Sequence, residues 1–264
     1  MTLKINRRAL IATAGFGIGG LLLPGGQLAA QALLGLTGFT HNVASGEPGP
    51  DSMLLWTRYV SATGSPSKVR VEVSDTRDFA KIVTGGQMIT GPWRDHTVKI
   101  TVDGLQPGKF YWFRFIAPDG SISPIGRTKT LPVGKAAKFN IAIFSCSNLG
   151  FGEFNAYGHA AARDDIDLVL HMGDYIYEYG RGGYDIGAKF SARIFPAGEI
   201  LTLADYRLRY ASYRADPQLQ AMHANFPCIP TTDDHESAND SWEGGAQNHT
   251  PDEGDWSARR NAAM

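Results

Sequence analysis

The hydrophobic period of this chain changes once, near Pro132, and that change limits what it can fold into. Between Phe39 and about Pro132, short stretches at 53–57, 69–73, 98–102 and 110–116 alternate or are rich in β-branched and aromatic residues, with Gly, Pro and Asp in the gaps. That pattern predicts an all-β sandwich over 39–132. After Pro132-Val133-Gly134-Lys135 the chain offers a buried strand at 139–146, a helix at 153–163 and a second buried strand at 168–172. Strand, helix, strand in that order predicts a parallel pair with a right-handed crossover. A helical stretch at 202–225, broken near Asp216-Pro217, and a third strand at 228–232 complete the reading. The chain has 31 Gly and 14 Pro, which excludes a helical bundle, and 25 basic against 26 acidic residues leave no cationic excess for a nucleic-acid backbone.

Ligands of an open α/β sheet collect at the carboxyl ends of its strands, and the polar motifs fall there. The three ends read Ser145-Cys146-Ser147-Asn148, Gly173-Asp174-Tyr175-Ile176-Tyr177-Glu178 and Asp233-Asp234-His235-Glu236. Asp174 alone is either a helix cap or a metal-bridging carboxylate. The crowding of Asp233, Asp234 and Glu236 favours a cation, because residues 215–258, 44 in all, contain no Lys or Arg. For the acids between 240 and 255 a solvated loop is an equal alternative. Carboxylates suit calcium, magnesium or manganese, whereas a Cys146 thiolate and a Tyr177 phenolate suit ferric iron, so the set points to a mixed site. A disulfide between Cys146 and Cys228 is the competing reading. It is disfavoured because one cysteine ends a strand and the other begins one, at opposite ends of a parallel sheet. His235 can donate a proton to a leaving alkoxide or hold a phosphate oxygen; a supporting or surface histidine is the alternative. His171 points to the other sheet face and reads as structural, and His41 and His223 have no partner visible in sequence. No Gly-x-Ser-x-Gly elbow, Walker loop or dinucleotide fingerprint is present.

The first 32 residues carry Lys4, Arg7 and Arg8, then an apolar run and the small-residue ending Ala30-Gln31-Ala32. This is the grammar of a cleaved export signal, with a permanent anchor as the alternative; the run is shorter than the ~20 residues that span a bilayer. Asn6-Arg7-Arg8-Ala9-Leu10 resembles a twin-arginine (Tat) signal, which makes the Tat export machinery an expected partner.

The ordered motifs carry a further resemblance. Phe39-Thr40-His41-Asn42-Val43-Ala44-Ser45-Gly46-Glu47-Pro48, Leu54-Leu55-Trp56-Thr57-Arg58, Phe144-Ser145-Cys146, the Gly173 and Asp233 motifs, and Gly254-Asp255-Trp256 to Arg260 together resemble the PhoD-like alkaline phosphatases and phosphodiesterases. These are calcineurin-like metallophosphoesterases with an N-terminal sandwich. The turn at 105–111 likewise resembles one in immunoglobulin and fibronectin III-like domains. The resemblance implies an immunoglobulin/fibronectin III-like sandwich at 39–132 followed by an α/β metallophosphoesterase domain at 138–264. That second domain would be only its first half, because the family's later metal-binding motifs lie downstream of the segment matching Trp256 to Met264. It further implies Fe3+ held by Cys146, Tyr177 and Asp174, with Ca2+ beside it. Asp234 matches the asparagine of the superfamily's Gly-Asn-His motif as a metal or phosphate ligand, and His235 matches its catalytic histidine. The implied activity is hydrolysis of small phosphate mono- or diesters by in-line attack of a metal-bound hydroxide, in the periplasm or secreted, for phosphate acquisition. A catalytically incompetent fragment or binding protein, in which only the sandwich is complete, is the alternative.

Overall fold

The computed structural model describes residues 35–184 and 189–264. The expected export signal at 1–32 lies outside the described residues. Seven strands come first: β1 (Gly38–Gly46), β2 (Met53–Val60), β3 (Ser67–Ser74), β4 (Ile82–Thr90), β5 (Thr97–Val102), β6 (Phe110–Ile116) and β7 (Gly126–Lys129). β3, β4, β6 and β7 form one antiparallel sheet in the order β4-β3-β6-β7. Alternation explains its burial. Val69, Val71 and Val73 of β3 and Tyr111, Phe113 and Phe115 of β6 face inward, against Val43, Met53, Leu55, Val98 and Ile100 from β1, β2 and β5. Lys68 and Arg70 point to solvent. Each buried Val or Phe contributes about 2 kcal/mol through apolar area removed from water. β4 was not predicted: Gly85 and Gly86 interrupt an edge strand whose side chains are half exposed, so its alternation is weak.

The second half adds β8 (Ile141–Phe144), α1 (Asn155–Ala161), β9 (Leu168–His171), α2 (Leu203–Arg214), α3 (Pro217–Asn225), β10 (Pro227–Pro230) and α4 (Trp256–Ala263). β8, β9 and β10 are parallel neighbours, as the strand-helix-strand reading expects. The helical stretch breaks where expected. The Asp216 carboxylate accepts the Gln218 and Leu219 amides and Pro217 opens α3, so the sequence caps a new helix there. Ala142 and Phe144 pack on the helices, while Ile141 and Ile143 on the opposite face of β8 are exposed.

The two halves share one sheet, in the order β5-β2-β1-β10-β9-β8. β1 joins β10 in parallel, Ser45 opposite Pro227 and Gly46 opposite Cys228. Gly46 is required by proximity: a Cβ there would lie 2.7 Å from the Cys228 carbonyl oxygen. The sheet therefore runs on across the linker that the period change marks. His41 of β1 reaches the Ala211 carbonyl of α2 at 3.1 Å, and Lys129 of β7 pairs with Asp167. Among the described residues no helix is long and apolar enough to cross a membrane.

Candidate metal centre

The carboxyl ends of β8, β9 and β10 meet through backbone bonds. Cys146 N–H donates to the Gly173 carbonyl and Ser147 N–H to the Asp174 carbonyl, each at 3.2 Å. Gly173 sits at φ +102°, and a Cβ on it would lie 2.5 Å from the Asp233 Cβ, so glycine lets the ends of β9 and β10 close on each other. Glu236 staples the same two ends, accepting the Tyr175 amide on one oxygen and the Asp233 amide on the other. Cys146 and Asp174 both take left-handed backbone angles, φ +55° and +53°. Non-glycine residues rarely stand there, and such strain concentrates at functional sites.

Asp174 is buried. One carboxylate oxygen accepts the Tyr177 hydroxyl at 3.1 Å, and Oδ1 is buried without a hydrogen-bond partner. Ligand atoms of Asp174, Asp234 and His235 lie within 4.8 Å of one another. Two carboxylates and an imidazole this close, one oxygen of them orphaned, suit a bound metal, the oxygens matching a hard cation and the imidazole a transition metal. Burial, followed by the charge and the hydrogen bond of Asp174, pushes the Tyr177 phenol well above its ordinary range. The phenol thus keeps its proton in this arrangement, and a cation at Asp174 is what would reverse that preference. Cys146 is exposed and, with Tyr177, lines a cavity of about 560 Å3.

His235 is oriented by Glu178, a fully buried residue. His235 Nδ1 bonds Glu178 Oε2 at 2.8 Å, while Glu178 Oε1 accepts the Asn239 amide and Asn248 Nδ2. Burial lowers the His235 pKa, but the hydrogen bond and charge of Glu178, with the charges of Asp174 and Asp234, outweigh it and leave the value raised.

The structure thus brings Asp174, Tyr177, Asp234 and His235 together and sets Cys146 at the same mouth. It corrects the reading of the acidic cluster: Asp233 is exposed and Glu236 is consumed by backbone amides, so only Asp234 of the three joins the metal-ligating group. Cys146 and Cys228 are both free. Within the cation-free stretch, Asp216 takes its partner from a distance, Arg193, and Glu253 pairs with Arg259, which lies just beyond the stretch and also pairs with Glu199. His171, fully buried, bonds the Tyr157 hydroxyl at 2.9 Å, and His223 bonds that of Tyr175 at 2.8 Å.

Two supporting residues carry no signal in the sequence, and a third shows its role only in the structure. Tyr213 accepts both the Leu149 and Tyr177 amides on its hydroxyl. Arg209, fully buried, donates to the carbonyls of Tyr177, Phe195, Pro196 and Gly198, holding the Tyr177 segment. Glu178 lies inside a motif that was read, yet only its partner 57 residues away gives it a role.

Comparison with known proteins places these features in a family. Models described as "PhoD-like phosphatase" and "PhoD-like phosphatase, N-terminal domain" match residues 141–264 and 26–132. Alkaline phosphatase D of Bacillus subtilis (strain 168) is 42% identical over 210 residues, 76% of this chain and 36% of that protein. A solved structure of PhoD superposes with a TM-score of 0.77 at 38% identity, covering 86% of this chain and 44% of the other. The chain therefore spans less than half the length of these relatives.

Proposed function

The chain belongs to the PhoD-like phosphatase family, and from that premise we propose that it is a metal-dependent phosphoric ester hydrolase acting outside the cytoplasm in phosphate acquisition. The observation that carries the reading is the buried Asp174 carboxylate, with one oxygen unpartnered, within 4.8 Å of Asp234 and His235 ligand atoms. Ferric iron would be held by Cys146, Asp174 and Tyr177, and Asp234 would serve calcium or a phosphate oxygen. When bound, these metals supply Lewis-acid neutralisation of phosphoryl charge and an activated water.

The chain's own residues supply position and a proton. Glu178 occupies His235 Nδ1, which leaves Nε2 as the ring nitrogen that would hold a phosphate oxygen or pass a proton to the departing alkoxide. The Gly173 turn and the Glu236 staple fix the strand ends, so the Asp174 and Asp234 carboxylates need little reorganisation on binding substrate. The two units, 39–132 and 138–264, divide the work. The first is an immunoglobulin/fibronectin III-like sandwich that supports, through β1 and β10, the sheet whose ends carry the site. Export through the Tat machinery rests on Arg7-Arg8 and its apolar run.

The test is a mono- and diester hydrolysis assay joined to metal analysis on the purified protein. Active protein is expected to contain iron and calcium and to be purple to brown from thiolate or phenolate charge transfer, with Asp174→Asn losing both metal and activity. Colourless, metal-free protein that still hydrolyses the esters would overturn the reading.

A further inference from the structure

The 560 Å3 cavity lined by Cys146 and Tyr177 has an aromatic wall of which the chemistry above uses Tyr177 alone. Phe151, Phe154, Tyr157, Tyr177 and Tyr184 all contribute to it. Phe154 and Tyr157 are buried, so core packing accounts for them. Phe151 and Tyr184 are not accounted for in this way: they are 57% and 55% exposed, yet they touch each other with ring centroids 5.6 Å apart at 66°. Tyr184 also lies nearly parallel to Tyr177, 8° and 6.0 Å between centroids, and stacks on Tyr179 at 5.2 Å. Two large rings thus stand half exposed beside a polar site.

Their geometry selects an occupant. The tilt between Phe151 and Tyr184 makes a corner in which a flat ring laid against one meets the other at an angle, the two arrangements aromatic quadrupoles prefer. A sugar or glycerol has no such flat face, and its hydroxyls would turn instead to the polar side chains of the same cavity, Ser147, Asn148, Glu153 and Asn155. Tyr177 belongs to both the proposed metal centre and the wall, so a phosphoryl group held at Asp174 directs its alcohol toward Tyr184. The cavity volume lies in the range of small-ligand sites.

We infer that Phe151 and Tyr184 form a stacking platform that selects phosphate esters whose alcohol carries a flat aromatic ring, as a nucleoside does. This deepens the phosphoesterase reading and rests on it. Adenosine 5′-monophosphate and ribose 5-phosphate share the esterified carbon and differ by the base. Their non-hydrolysable methylenephosphonate analogues, titrated by calorimetry into the metal-loaded protein, isolate that difference from turnover. The adenosine compound is expected to bind at least about tenfold tighter, about 1.4 kcal/mol, the size of one base–aromatic stack. Phe151→Ala and Tyr184→Ala should each move the two affinities toward equality, while Tyr184→Phe keeps the preference. Equal affinities in the unsubstituted protein, or a preference that both alanine variants retain, would overturn the platform. Hydrolysis of both natural esters with no preference defeats the platform alone; a binding preference without hydrolysis of either defeats the phosphoesterase reading alone.

Discussion

Glu178 and His235, 57 residues apart, are joined by one hydrogen bond of 2.8 Å that fixes which imidazole nitrogen is left for chemistry. The other oxygen of that carboxylate accepts the Asn239 amide and the Asn248 side chain, so Glu178 is itself held in place to orient the ring. Orientation of this kind acts on a ligand or acid through another residue rather than on substrate directly.

Glu178→Gln keeps the volume and removes the charge. The expected result is a kcat about 10- to 100-fold lower with KM little changed, and a larger loss on alkyl than on aryl esters, whose leaving groups need no proton. Steady-state kinetics on the two ester types measures it; a change in KM alone would refute the positioning role.

Arg209 and Arg259 are the largest fully buried side chains among the described residues, and burial lowers the Arg209 pKa to about 10. Its partners are four carbonyls, one of them that of Tyr177. Arg209→Met should cost about 3 kcal/mol of stability by leaving buried carbonyls unsatisfied. Urea unfolding gives the magnitude, and limited proteolysis should report faster cutting between Tyr177 and Gly198 if the clasp holds that segment.

Acid should loosen the junction between the halves through His41. Its ring bonds the Ala211 carbonyl and the Thr40 hydroxyl, and its pKa falls to about 4, through burial first and then the charges of Arg58 and Arg214. A depressed histidine leaves stability untouched above the unfolded value near 6.5 and costs progressively more as the pH drops from there to about 4, because the unfolded chain takes up the proton first. The cost reaches about 3 kcal/mol at the lower limit. Urea midpoints at pH 7.5 and 4.5 should converge in His41→Gln relative to the parent; an unchanged difference would show that His41 does not set it. His171, also lowered to about 4 by burial, leaves a residual slope.

Gly46→Ala tests the shared sheet. Its methyl would stand 2.7 Å from the Cys228 carbonyl oxygen, which is backbone and cannot swing away. Opening β1 from β10 should cost about 1–3 kcal/mol, and amide exchange should quicken at Cys228 and Pro227's neighbours while β3 and β6 stay protected. Uniform exchange would place the strain elsewhere.

Much of this was legible in the sequence. The alternation of Val69, Val71 and Val73, the apolar run of β9 and the Asp216-Pro217 break are local patterns, and local patterns suffice for elements because burial follows period. The motifs at the ends of β8, β9 and β10 could be placed at one mouth for the same reason: parallel strands share their carboxyl ends. The sequence could not separate Asp234 from Asp233 and Glu236, which lie within four residues and have the same charge.

The tertiary structure decided that separation. Asp234 closes on Asp174 and His235 because the Gly173 turn lets the strand ends approach; Glu236 turns back onto two amides and Asp233 faces water. It likewise joined β1 to β10 and set Arg209 under Tyr177. Chain period and residue chemistry determine which side chains can be buried or can hold charge, since these depend on neighbours in sequence. Which buried group meets which partner depends on contacts tens of residues apart, whose free energy exists only once the chain has closed around them.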